Sequence, residues 1–478
     1  MKVILPVAGK GERMRPYTNN LPKCLLPVGI FAIIAALLLP TLVACSNSEY
    51  VNDNVNFADE SAFDVRTIDK QDSSDKEIQN KSSDSNESQV SSNIKTYLPL
   101  DDTEYPYAGI PRIVIETENH RAIKDRETEI PAKLQIWGEK APESEIMDLT
   151  IRGRGNSSWL YMPKKNYKIE FINKQAMLGM PKDRDWALIA NYADKTLMKN
   201  YMTYKLSLWL NADYSPRCEF VELFLDKEYL GVYLLVETLK VNKHRIDIDE
   251  NTSYVAEFDV HYKSKNTVIY LDVSQKPISI HNPKVATATA QNILKRHLDS
   301  LSQLIIGNNI SIDSLEKWID LQSYFRFYWV QEFSENRDGN FATSVFFTWT
   351  PGEPLKMGPL WDFDLAYNGH PNTLTQDPQK WFIRNHYWNG YLFKSNSFEK
   401  EAYSYWKTSR TSFEQLLDSI DVYREMLTLP AQNNFKKWDI LKSTENRFHR
   451  HAYATYEDAV DALKNWIKTR IAWIDSQI

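Results

Sequence analysis

Beyond about residue 97 the hydrophobic positions change their spacing along the chain, alternating with polar ones at first and later recurring every third or fourth residue. Alternation is the period of strands and the longer spacing that of helices. Ile113-Val114-Ile115, Ala132–Trp137 and Met147–Ile151 read as strands separated by polar turns. The alternation is cleanest in Pro163–Phe171, where Tyr167, Ile169 and Phe171 share one face and Lys168 and Glu170 the other. Asp194 is placed to cap a helix running to Leu210. Val221–Val236 reads as a hairpin turning at Asp226-Lys227, and Tyr254–Asp259 as a further strand. From Asp313 the pattern is helical. Asp313 with Glu316 suits a capping box, and Leu321–Phe333 is a long aromatic helix. Thr455 with Asp458 opens a last helix whose apolar stripe runs Val460, Leu463, Ile467, Ile471, Ile474. One late hairpin interrupts, with strand Val345–Trp349 and a turn at Pro351-Gly352. Strands first and helices afterwards predict an α+β fold without internal repeats.

The pattern before residue 97 is different. Residues 28–44 are uncharged and mostly apolar, ending on Leu42-Val43-Ala44-Cys45. Such a run predicts a lipoprotein signal peptide over 28–45, cleaved before Cys45, whose thiol takes a diacylglycerol. A transmembrane anchor is the alternative, but the run is near the lower limit of about 17 residues and contains Pro40. Residues 46–96 are rich in Ser, Asp, Asn and Glu, with too few apolar groups to offset the entropy of ordering. They predict a disordered tether that holds a folded part, 97–478, away from a membrane. The expected location is therefore the cell envelope, lipid-anchored and extracytoplasmic.

Composition narrows the chemistry. A net charge of −6 gives no reason to expect nucleic-acid binding. The 14 Trp and 26 Tyr suit an aromatic-rich globular core. With only Cys24, Cys45 and Cys218, neither a disulfide framework nor a cysteine zinc site is expected.

Candidate chemistry gathers in Asn336–Gly369. Asp338 precedes by about two dozen residues a second acidic pair, Asp362 and Asp364, with the late hairpin between. That order resembles the layout of protein kinases, in which one Asp accepts the hydroxyl proton and another holds metal. Asp338, in a loop with Gly339, is the candidate general base. In extended backbone Asp362 and Asp364 would face the same way, with Phe363 and Leu365 inward. Two such acids repel unless a cation lies between them, so they are the candidate ligands of Mg²⁺ (or Mn²⁺). Lys168, on the polar face of its strand, is the candidate contact to the α- and β-phosphates of ATP, with Lys165 as its rival. Arg152 and Arg154 share a strand face just before Gly155-Asn156 and form a candidate phosphate-facing patch. Glu237 could pair with the nucleotide-site lysine or hold metal. Asn336 would support the catalytic loop, and Asn191 and Asp194 would build a loop and cap a helix. Each has a plainer reading: a turn aspartate, a salt-bridged turn, an exposed strand lysine, surface charge or a strand-end acid. Thr343 stands five residues after Asp338, where protein kinases place a metal-holding Asn.

Five motifs carry a wider resemblance. They are R-G-R-G-N-S-S-W from Arg152, K-K-N-Y-K-I-E-F from Lys164, L-G-M-P-K-D-R-D-W-A-L-I-A-N-Y-A-D-K-T-L-M-K-N from Leu178, G-V-Y-L-L-V-E-T from Gly231 and G-P-L-W-D-F-D-L-A-Y from Gly358. In this order, over roughly residues 98–478, they resemble the CotH family of spore-coat-type atypical protein kinases, also found as bacterial surface lipoproteins. The resemblance implies a kinase-like bilobal fold with a strand-rich N-terminal and a helical C-terminal part. It also implies ATP with a divalent metal, and phosphorylation of Ser or Thr on a protein substrate. A binding or adhesion module on the same fold, without turnover, is the second reading. Separately, Met1–Gly29, with Gly9, Gly11, Arg13 and Pro22-Lys23, resembles the first strand and loop of sugar-phosphate nucleotidyltransferases. Glu12 stands where that family has a small hydroxyl residue, and one strand and loop cannot bury a core. Residues 1–29 are therefore expected to be a leader fragment with no active site.

Overall fold

The structure is a computed structural model, and it describes residues 97–262, 267–307, 310–369, 377–446 and 448–478. The nucleotidyltransferase-like stretch, the signal peptide with Cys45 and the tether of residues 46–96 lie outside the described residues. Among the described residues no helix is long and apolar enough to cross a membrane.

The alternating segments close into a barrel. Its strands are β1 (Arg112–Thr117), β2 (Ile130–Trp137), β3 (Met147–Arg154), β4 (Asn166–Gln175), β5 (Asp183–Ile189), β6 (Cys218–Leu225) and β7 (Glu228–Glu237). They are ordered β1-β2-β3-β4-β5-β7-β6, and β1 closes the circle by pairing in parallel with β6. Ile151, Tyr167, Ile169, Phe171, Trp186, Leu188, Val221, Leu223, Tyr233 and Leu235 pack together inside it. Lys168 and Glu170 therefore lie outside, because adjacent residues of a strand face opposite ways. At the β6–β7 turn Asp226 and Lys227 have φ of 50° and 72°, the left-handed pair of a two-residue hairpin turn. Asp226 accepts hydrogen bonds from Thr117 N and Thr117 Oγ1, each at 2.7 Å.

One side of the barrel is apolar on both faces. Every residue from Tyr229 to Glu237 is buried, the signature of a strand covered twice. Beyond the short helix α1 (Ser157–Tyr161), outward-facing Phe220, Val232, Leu234 and Val236 join a second core with helix α2 (Lys199–Trp209), and Tyr201 stacks on Phe220 at 4.4 Å. Fully burying each such side chain contributes about 1.5–3 kcal/mol.

That core also holds a second, antiparallel sheet in the order β12-β11-β8-β10-β9, formed by β8 (Tyr254–Phe258), β9 (Thr267–Tyr270), β10 (Pro277–Asn282), β11 (Val345–Trp349) and β12 (Lys356–Leu360). Helices follow in two groups. The first is α3 (Ala288–Ile306), α4 (Ile312–Leu315) and α5 (Leu321–Phe333). The second is α6 (Tyr387–Leu392), α7 (Asn396–Lys437) and α8 (Tyr456–Ser476). The architecture is α+β. Helix α5 is buried at all positions but Gln322, so it has no polar face and runs through the core.

Three local expectations are corrected. Asp313 and Glu316 form no capping box: Ser311 caps α4 instead, accepting from Ser314 N. Asp194 is not the N-cap of α2, a position held by Met198. Its carboxylate nevertheless takes the first helical amide, Lys199 N, at 2.8 Å, and Thr196 N at 2.9 Å. The helical half also begins earlier than Asp313, at Ala288, because Thr287 caps α3 by accepting from Ala290 N. The capping box of Thr455 and Asp458 is present.

Candidate active site

The loop leaving α5 and the loop leaving β12 meet beside the end of β8. Helix α5 ends at Phe333, and the turn beyond it carries Asp338. Asn336 Nδ2 donates to the Asp362 carbonyl at 3.3 Å and ties the two loops together. Ser344 Oγ donates to Asp362 Oδ2 at 3.3 Å. Phe363 is fully buried, and its amide donates to Asn200 Oδ1 at 2.8 Å. This anchors the acidic loop to α2.

The expected extended geometry of Asp362 and Asp364 is corrected. Asp362 has φ of 67°, in the left-handed region, and Asp364 lies in the turn that follows. The two carboxylates are gathered by a turn and not by strand alternation. An Asp tolerates this conformation better than most residues, because its short polar side chain bonds locally.

The electrostatics of the cluster are unusual. The Asp338 carboxylate accepts no side-chain or backbone hydrogen bond among the described residues. Burial pushes its pKa up to about 7, Asp362 adds to the rise, Arg337 opposes it and Glu257 adds again. Burial likewise raises Asp364, reinforced by Asp362 and Asp338 and opposed by Lys199. Asp362 is raised by burial against the pull of Arg154. Clustered, half-buried acids whose pKa values are raised together are a marker of a functional site.

Two acids at the end of β8, Glu257 within it and Asp259 just beyond, complete the surroundings, and sequence reasoning did not single them out. Glu257 accepts from Ser344 N at 2.8 Å and lies 2.8 Å from His281 Nε2. Asp259 accepts from Thr343 Oγ1 at 3.1 Å and from Ser279 Oγ at 3.3 Å. Thr343 thus spends its hydroxyl on Asp259. The E-x-D spacing at the end of a strand puts both acids on one face, and that signal was available. Their nearness to Asp338 depends on β8 pairing with β11, which spacing does not reveal.

The candidate phosphate contacts are placed unequally. Arg154 reaches the acids: burial lowers its pKa, Asp362 is the strongest charge opposing that, and its guanidinium lies 5.0 Å from the Trp361 ring centroid. Trp361 in turn stacks on Tyr204 of α2. Arg152 turns to the barrel rim instead, donating to the Arg126 carbonyl at 2.6 Å and lying 3.4 Å from Glu129. Lys168 is engaged by Glu170 and Asp185, both at 2.7 Å. Lys165 donates to the Trp159 carbonyl at 2.6 Å. The pairing of Glu237 with Lys168 is corrected. Glu237 lies opposite Trp186, on the inward face at the barrel end. There Arg217 Nη1 donates to it at 2.9 Å, Arg217 N at 3.0 Å and Tyr214 OH at 3.2 Å.

Among the described residues no group of three or more His, Cys, Asp or Glu converges tightly enough to hold a metal ion by itself. The donor chemistry still fits Mg²⁺, which keeps several waters and takes one or two carboxylates together with substrate phosphates. Asp362, raised by burial, and Asp364, raised by burial and by the charge of Asp362, are the pair that a divalent cation would relieve.

The raised pKa of Asp338 has a consequence for stability. Its folded value of about 7 exceeds the unfolded carboxylate value of about 3.9, so the folded state binds the proton more tightly. The associated stability is complete below about pH 4 and is lost as pH rises through about 7. Asp338→Asn should therefore raise the metal-free melting temperature at pH 8 by a few degrees, with little change at pH 4. Paired thermal melts at the two pH values check this; an unchanged or lower melting temperature at pH 8 would refute the burial argument.

The whole chain has no match among curated proteins. A family model described as CotH kinase protein matches residues 151–474, a span that includes all five motifs quoted above and the acidic cluster. Since that match takes in more than half of the sequence, the chain belongs to the CotH kinase protein family.

Proposed function

We propose that the chain is a protein Ser/Thr kinase that transfers the γ-phosphoryl group of ATP. The observation that carries this reading is the Asp338 carboxyl group, free of hydrogen bonds among the described residues and raised towards neutrality beside Asp362. A base of that kind is matched to taking a proton from a hydroxyl near neutral pH. Asp362 and Asp364 would hold the divalent metal. Bound there, the cation would neutralise phosphate charge and draw the nearby carboxyl groups towards their ionised forms. Arg154, the cation facing Asp362, is the better placed phosphate contact on this reading, since Lys168 is committed to Glu170 and Asp185. Asn336 holds the base loop and the metal loop in register through the Asp362 carbonyl. Asp259 holds Thr343 where protein kinases have an Asn.

On this reading the barrel and the sheet-with-helices part correspond to the two lobes of a kinase-like fold. The lipobox at Cys45 supports a membrane-tethered, extracytoplasmic enzyme, with residues 46–96 as its tether. A second reading, a module that binds without turnover, is favoured by the engagement of Lys168 in ion pairs on both sides.

Labelled ATP separates the two. The full chain with Mg²⁺ or Mn²⁺ should incorporate label from the γ-phosphate into itself or an added protein, and Asp362→Ala should abolish this. ATP binding without incorporation under either metal would sink the kinase reading and leave the binding module.

A further inference from the structure

A polar cavity of about 60 Å³ is lined in part by Lys199, whose charge also opposes the rise at Asp364. It is lined by Lys199, Asn368, His449, His451 and Trp466 among others. At roughly 10–15 Å³ per water centre, it has room for a few waters or one small anion. Its lining is short of partners. His449 is 2 % exposed, and its Nε2 lies 2.9 Å from the Tyr192 carbonyl, so Nε2 carries the proton and Nδ1 is an acceptor. That Nδ1, His451 Nε2, Asn368 Oδ1 and the Nε1–H of the 8 % exposed Trp466 have no hydrogen-bond partner among the described residues. Lys199 is 6 % exposed, and its ammonium makes no hydrogen bond or close ion pair there. Gly369 leaves room for it, since a Cβ at that position would stand 2.8 Å from Lys199 Nζ.

Lys195 provides the contrast. It lines the same cavity but donates to the carbonyls of Leu441, Ser443 and His451 at 2.9, 2.7 and 2.5 Å, which uses all three of its protons. Buried polar groups nearly always find partners, so several orphans around one cavity point to a ligand that supplies them. Lys195, Lys199 and Arg450 outweigh Asp194, so the cavity is positive. Burial lowers the pKa of both histidines, that of His451 to about 4, so at neutral pH they offer lone pairs. The ligand must therefore be an anion that still carries a proton to donate. Sulfate and carboxylates have lost theirs at neutral pH, and a phosphomonoester, with a second pKa of about 6, has mostly lost its own, whereas inorganic phosphate keeps at least one because its last ionisation lies far above neutrality.

We propose that this cavity binds a phosphate group, with Lys199 Nζ and Trp466 Nε1–H donating to its oxygens and its P–OH donating to His449 Nδ1 or Asn368 Oδ1. The site does not depend on phosphoryl transfer, and a non-catalytic module would keep it. Free inorganic phosphate meets this requirement directly, whereas a nucleotide or a phosphorylated side chain would have to be bound as its protonated monoanion.

Titration of the full chain, labelled with ¹⁵N-histidine, with inorganic phosphate tests the proposal, with sulfate as the control. Phosphate should move two imidazole resonances saturably, and sulfate should bind markedly less. Lys199→Gln should weaken phosphate binding by about tenfold or more, and Trp466→Phe by a smaller factor. ADP and phosphoserine, added in separate competition arms, identify the source of the group. Absence of a saturable imidazole shift, equal binding of sulfate, or undiminished affinity in Lys199→Gln would each overturn it. If Lys199→Gln does not fold, the phosphate–sulfate comparison and Trp466→Phe still decide. Failure of the labelled-ATP assay leaves this result untouched.

Discussion

Asparagine at position 338 is expected to cut phosphoryl transfer by about 10²- to 10⁴-fold, the usual contribution of a positioned general base. Shape and volume are retained in Asp338→Asn, and the side chain makes no hydrogen bond that the fold would lose among the described residues. Only the proton acceptor disappears. ATP binding should survive, because the metal pair Asp362 and Asp364 and the cation Arg154 are untouched. The same variant should be more stable than the parent in metal-free buffer at pH 8, since it lacks one buried like charge. A variant both more stable and inactive is the pattern expected where function is built on electrostatic strain. Initial rates, calorimetric ATP binding and thermal melts on one preparation check all three. Retention of more than a tenth of the parent rate would remove Asp338 from the role of base.

The second large effect concerns the support of that loop. Arg470 of α8 is fully buried, and its Nη2 donates to Glu332 Oε1 at 2.7 Å and to the Glu332 carbonyl at 2.8 Å. Glu335, also buried, lies 3.2 Å from Arg470 Nη1. The Glu332 carboxylate also receives the amides of Phe382, Ile383 and Arg384 at 2.6, 2.8 and 3.0 Å. Arg470→Met would leave the Glu332 carboxylate buried without its cation and take from Glu335, whose pKa burial already pushes well up, its main opposing charge; breaking a buried pair in this way costs about 3–5 kcal/mol. A fall of roughly ten degrees in melting temperature follows for a folded unit of this size. Glu335 immediately precedes Asn336, so activity should fall as well. The double variant Arg470→Met with Glu332→Gln should recover part of the loss, because one stranded charge is removed. A melting temperature within a degree or two of the parent would show that the buried triad is not what holds α8 to α5.

Much of this arrangement could be read before folding. Alternation in Tyr167, Ile169 and Phe171 determined which way Lys168 points, and Thr455 with Asp458 determined where α8 starts, because both depend on neighbours within a few residues. Asp338, Asp362 and Asp364 stood out by residue type and order alone. Tertiary packing decided their use. The left-handed backbone at Asp362, and not strand alternation, gathers the acids, since Phe363 must enter the core and bond to Asn200 of α2. Lys168 and Glu237 look alike as candidate site residues along the chain, yet barrel closure gives them to separate ion pairs on opposite faces. Glu257 and Asp259 reach the site through the pairing of β8 with β11, some 90 residues apart, and Lys199 reaches it by the packing of α2. Hydrophobic period is a local property and survives in one dimension. The field at a carboxylate is the sum over charges brought near by the whole fold, and it exists only in three.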